Sequence, residues 1–177
     1  MASKFLLRFW GTRGSIATPG AETARFGGNT TCVEMVVGDE RLIFDAGTGI
    51  RDLGNHMVKE RPDGGHASLF FSHTHWDHIQ GWPFFAPGFI PGNHVHFHSC
   101  IPDCQKRFTS QQQFEFFPLS FEQMMADKTF HTYEQGDSFK VGGFDIKTEA
   151  LIHPGGSTSY RVDREGKTFI FATDTEF

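Results

Sequence analysis

One stretch constrains this chain more than any other: Ser72-His73-Thr74-His75-Trp76-Asp77-His78. His73, His75, Asp77 and His78 put four metal-competent side chains within six residues. The apolar run at 67–71 just before them has strand character, and residues 79–83 just after could begin a short helical turn that Pro83 would limit. The ligands therefore sit in a loop at a strand end. In extended backbone His73 and His75 point to the same side, because side chains alternate with period two. Asp77 and His78 follow where the chain turns, so they can face a second point in space, an arrangement that suits two adjacent ions better than one. Imidazole suits zinc and related borderline ions, and a carboxylate adds charge and a harder oxygen. With 10 His in 177 residues a lone His carries little weight. The ordered set does carry weight.

The length fits one domain, 1–177, with enough apolar content for a real core. A formal net charge of −5 gives no general pull towards nucleic acid and favours a small substrate over a long RNA footprint. Cys32, Cys100 and Cys104 are odd in number and irregular in spacing, so they read as ordinary thiols rather than a disulfide framework. There is no charged leader before a long apolar run, and no apolar run of membrane-spanning length. A cytoplasmic protein without a membrane partner is the expectation.

Along the chain, residues 4–10 read as a strand and 11–31 as a long loop carrying Arg13 and Arg25. Either Arg could meet a phosphate through its fork of donors or brace the loop through carbonyls. Residues 32–37 and 41–45 read as a hairpin, and 49–60 as a helix with Ile50, Leu53, Met57 and Val58 on one face, ended by a turn at 61–65. Residues 82–92 are too broken by Pro and Gly for a regular element, and their large apolar side chains read as core under a loop. In the strand at 94–98, Val95 and Phe97 point inward. His94, His96 and His98 then share the other face, which reads as a solvated strand face rather than a third metal site, since no carboxylate accompanies it. Helices are expected at 102–113 and 120–127. Strands are expected at 129–133, 138–141, 144–151, 157–162 and 168–172. His153 and Asp174 each follow a strand, and each would read alone as a turn residue.

The 73–78 motif resembles that of the metallo-β-lactamase superfamily. Further blocks at 9–16, 26–32, 43–49, 153–161 and 171–176 look like the branch similar to ribonuclease Z and small bacterial phosphodiesterases. The resemblance implies an α/β (α+β) fold, a metallo-β-lactamase-like αββα sandwich. It implies two Zn2+, with Mn2+ or Fe as substitutes. His73, His75 and His153 would hold the first ion, Asp77 and His78 the second, and Asp174 would bridge them. Asp45 would accept a hydrogen bond from a ligand imidazole, with a helix N-cap as its other reading. The implied activity is hydrolysis of a small phosphodiester, such as a cyclic nucleotide, by a zinc-bound hydroxide, with Asp77 as the catalytic carboxylate and Arg13 as a candidate substrate contact. A thioester, lactone or β-lactam hydrolase, and a metal-binding module without turnover, are the alternatives. The family pattern continues past the position of Asp174 to a last His ligand, whereas this sequence stops at Phe177. An incomplete C-terminus is therefore expected, with a second copy of the chain as one way to cover the surface left open.

Overall fold

The computed structural model describes residues 4–62 and 64–176. Among these residues ten strands form two sheets. The first has six strands in sequence order: β1 (Phe5–Gly11), β2 (Cys32–Val37), β3 (Glu40–Phe44), β4 (His66–Phe71), β5 (His94–Ser99) and β6 (Asp127–Thr132). β1, β2 and β3 pair antiparallel, and β3 to β6 pair parallel. The second sheet is antiparallel, in the order β10 (Lys167–Phe171), β9 (Ser157–Arg164), β8 (Phe144–Leu151), β7 (Ser138–Val141).

The alternation of apolar residues sorts them into two layers. Ile43, Leu69, Phe71, Val95 and Phe97 point to the helix side. There they meet Ile50 and Leu53 of α1 (Ile50–Glu60), Phe108 of α3 (Cys104–Gln111) and the buried Trp82, Phe85 and Phe121. Leu42, Phe44 and Phe70 point the other way and pack with Val33 and Met35 against Phe144, Ile146, Tyr160, Val162 and Phe171 of the second sheet. Strands buried on both faces read as near-continuous apolar runs, as 67–71 does. The layers run helix, sheet, sheet, and no helix follows Asp127 among the described residues.

Several local expectations need correction. Helix α2 (Trp76–Ile79) starts three residues earlier than the sequence suggests, so Asp77 and His78 lie in its single turn. Residues 82–92 do form short structure, the 3-10 turns Trp82–Phe84 and Ala86–Phe89, and Trp82 and Phe85 are fully buried as core. The helix at 120–127 shrinks to the turn Phe121–Gln123. Ser120 and Gln123 form a capping box there, but the backbone from Asp127 onward is taken by pairing with β5. Asp63, within the turn expected at 61–65, lies outside the described residues. The face of His94, His96 and His98 is not solvated: His98 is buried and the other two are half-buried, because parallel neighbours bring His66, His131 and Tyr133 alongside.

Candidate metal centre

β4 ends at Phe71 and delivers Ser72 and His73 to the edge of the sandwich. Two contacts hold the second sheet onto this edge. The Tyr160 hydroxyl donates to the Phe71 carbonyl at 2.8 Å, and the Thr158 N–H donates to the Ser72 carbonyl at 2.9 Å. Beyond β8 and β10, the Glu176 N–H donates to the Ile152 carbonyl at 2.7 Å, which draws the segments bearing His153 and Asp174 together. From the other side the 45–49 loop locks against the motif: the Ala46 N–H donates to the His78 carbonyl and the Gly81 N–H to the Ala46 carbonyl. A Cβ on Gly81 would lie 2.0 Å from the Gly47 carbonyl oxygen, so this approach requires glycine.

His73, His75, His78, His153, Asp77 and Asp174 therefore meet, although they come from three separate places in the chain. His75 Nδ1 lies 3.0 Å from His73 Nε2 and 3.1 Å from His153 Nε2. Nitrogens about 2.0 Å from a shared tetrahedral ion would stand roughly 3.3 Å apart, so this spacing is close to that of a ligand set. Asp174 faces both halves. Its Oδ2 is 3.8 Å from His73 Nε2 and 3.7 Å from His153 Nε2, while its Oδ1 is 3.4 Å from His78 Nε2. Asp77 Oδ2 stands 3.4 Å from His78 Nε2 and accepts the Ser15 backbone N–H at 2.7 Å.

A single buried carboxylate orients two of these rings. Asp45 is fully buried. Its Oδ1 accepts the Ser72 N–H at 2.8 Å, and its Oδ2 accepts the Ser72 hydroxyl at 2.7 Å and His78 Nδ1–H at 2.6 Å. With its proton given to Asp45, Ser72 Oγ is left to accept His73 Nδ1–H at 3.0 Å. With a cation bound, both rings would then present a bare Nε2 to the centre. Helix α1 has Gly49 as its N-cap, so Asp45 does not cap it. Asp45, Ser15 and Asp174 all have positive φ (58°, 68° and 48°), a costly conformation for residues with side chains and one that clusters at functional sites.

The electrostatics follow from burial and from the mix of rings and carboxylates. Burial lowers the His73 pKa to about 3, helped by the neighbouring imidazoles of His78, His75 and His153. Burial also works to lower that of His78, but the Asp45 hydrogen bond and charge, with Asp77 and Asp174, override it and push it up to about 9. Burial raises the Asp45 pKa against the pull of His78 and Ser72. His78 Nε2 is buried and has no hydrogen-bond partner in the protein. Left so it would cost about 1–3 kcal/mol, and a cation in front of it removes that cost. With imidazoles and carboxylates converging on the same point, the residues fit a divalent transition metal.

Sequence reasoning missed Ser72, Ser15 and Tyr160. It also missed Arg107, whose Nη1–H donates to Thr74 Oγ1 at 2.8 Å beside the motif. Arg13 spends its Nε–H on the Ile16 carbonyl at 3.0 Å and braces the loop that carries Ser15.

Fold and centre together define a metallo-β-lactamase-like architecture. The beta-lactamase superfamily domain matches residues 40–177, and the chain belongs to that superfamily. Among solved structures it is similar to the metallo-β-lactamase fold protein YhfI from Bacillus subtilis (18% identity, TM-score 0.69, 97% of this chain and 62% of that one). It is also similar to the short form of human tRNase Z (15%, 0.66, 95% and 68%) and to unliganded yeast PDE1 (12%, 0.62, 96% and 64%). The chain thus spans a little under two thirds of the length of YhfI. Comparison with curated proteins gave no match. No helix among the described residues is long and apolar enough to cross a membrane.

Proposed function

We propose that this chain carries the centre of a metal-dependent hydrolase that cleaves a small phosphodiester, a cyclic nucleotide being the simplest fit. The observation behind this reading is the meeting of His73, His75, His78, His153, Asp77 and Asp174 within 3.0–3.8 Å contacts. His73, His75 and His153 would hold one ion and Asp77 and His78 the other, with Asp174 between them, its oxygens facing opposite halves. Bound there, a pair of zinc ions lowers the pKa of water and stabilises attacking and leaving oxygens in line.

The protein's own groups do the rest. Asp77 is pinned through Oδ2 by the Ser15 N–H, so its other oxygen is held in place to orient the attacking water and take its proton. Asp45 keeps His73 and His78 in the tautomer that leaves Nε2 bare. Arg13 keeps the 13–16 loop, and with it Ser15, against Asp77. A net charge of −5 supports a small anion over a long RNA. The similar structures named tRNase Z, a diphosphatase of the PhnP family and PDE1 support phosphoester chemistry.

Protein stripped with chelator and reloaded with Zn2+ or Mn2+ should hydrolyse bis(p-nitrophenyl) phosphate and leave thioester, lactone and β-lactam substrates intact. Turnover of one of those, with none of the phosphodiester, overturns the substrate class. Stoichiometric metal uptake with no turnover of any substrate overturns the enzyme reading for this chain.

A further inference from the structure

Strand β5 carries a second cluster of histidines, at the far end of β4 from the metal loop. Val95 and Phe97 fill the helix-side core, so His94, His96 and His98 project from the opposite face. Parallel pairing sets His94 beside His66 of β4, and His98 beside His131 of β6. The outcome is a patch of five imidazoles that the centre described above does not use. His66 and His73 are seven residues apart along an extended chain, so the two clusters lie roughly 20 Å apart.

We infer that His66, His94 and His96 form a separate site for a single divalent transition metal of the zinc, nickel or copper class. One ring nitrogen from each of the three lies within 4.8 Å of the other two. Two of the rings already have their remaining nitrogen engaged. His94 Nε2 is 2.8 Å from Thr129 Oγ1, and His96 Nδ1 is 3.0 Å from His131 Nε2. Such outer bonds fix the orientation and tautomer of ligating imidazoles. They leave His94 Nδ1 and His96 Nε2 for an ion. The His94 and His96 rings stack at 4.2 Å and 6°, so their nitrogens lie in parallel planes and one ring turns about its outer bond to share an ion.

Access also suits a ligand set. His66 is exposed while His94 and His96 are half-buried, so an ion can enter from solvent and still leave most of its water. With three imidazoles and no carboxylate among the ligands, the donor set selects borderline metals over Mg2+ and Ca2+.

Uptake of Zn2+ and Ni2+ by chelator-stripped protein is measured by isothermal titration calorimetry and equilibrium dialysis. The proposal expects His94→Gln/His96→Gln to take up one equivalent fewer than the unaltered protein, with hydrolysis and the uptake of the remaining equivalents unchanged. His66→Ala alters an exposed residue at the start of a strand, which leaves the fold intact by circular dichroism, and should lose the same equivalent. His131→Ala keeps all three ligands and should weaken that equivalent by about tenfold. A His73→Ala/His78→Ala variant should keep it, which separates this site from the hydrolytic centre. Equal uptake by the unaltered protein and His66→Ala, at equal affinity, overturns the proposal.

Discussion

Two groups of histidines lie at opposite ends of one strand, and they are assembled in different ways. At the C-terminal end of β4 the rings hang from loops and from the single turn of α2, come from distant parts of the chain and meet two carboxylates, Asp77 and Asp174. At its N-terminal end the rings stand on strand faces, come together through parallel register and meet no carboxylate within the cluster. The first arrangement produces opposed pKa shifts, with His73 down to about 3 and His78 up to about 9. In the second, every resolved shift is downward, at His96, His98 and His131. Carboxylates are what separate a centre with differentiated groups from a stack of like ones.

The strongest way to break this contrast is to remove a carboxylate from the first cluster. Asp174→Asn should cut phosphodiester turnover by ~100-fold or more and lower metal stoichiometry, because the carboxylate facing both halves loses its charge. Asp45→Asn should lower metal affinity or turnover by about 10- to 100-fold, read by competition with a chromophoric chelator, since it upsets the tautomers of His73 and His78 together.

The second cluster should show itself through acid sensitivity. Burial holds the His98 pKa at about 3 in the fold, against an ordinary value of 6.5. Above 6.5 both folded and unfolded chains are neutral there, so the contribution is constant. Between 6.5 and 3 the unfolded chain takes up a proton that the folded one refuses, so stability falls as pH falls, by at most about 1.4 kcal/mol per pH unit. His98→Phe, which retains the stacking on Phe70 at 4.5 Å, should flatten that fall in urea melts of chelated protein. Tyr160→Phe removes the bond to the Phe71 carbonyl and should cost about 1 kcal/mol in the same assay. At the bottom of the scale, His66→Ala should shift the stability of metal-free protein by less than about 0.5 kcal/mol, because the residue is exposed.

The two clusters were not equally legible in the sequence. The loop cluster announces itself because four of its side chains are adjacent in the chain, and the resemblance supplied Asp45, His153 and Asp174. Ser72 escaped notice because a small polar residue at a strand end has no distinctive pattern, and Ser15 because its contribution is a backbone N–H. The strand cluster was half visible: period two put His94, His96 and His98 on one face. Their partners His66 and His131 depend on register across long parallel crossovers, which no local pattern encodes. The same competition explains the missing helix at 120–127, where local capping favoured a turn and pairing with β5 took the rest.

The short bond from the Glu176 N–H to the Ile152 carbonyl bears on the order of assembly. Asp45 and the 73–78 loop belong to the first sheet and can find each other early in synthesis. Asp174 is placed only once the last strand has paired, and that clasp then draws it to the segment bearing His153. An ion gripped by both groups would add its binding free energy to the docked state alone and so act as a latch between the early-made and late-made halves of the chain.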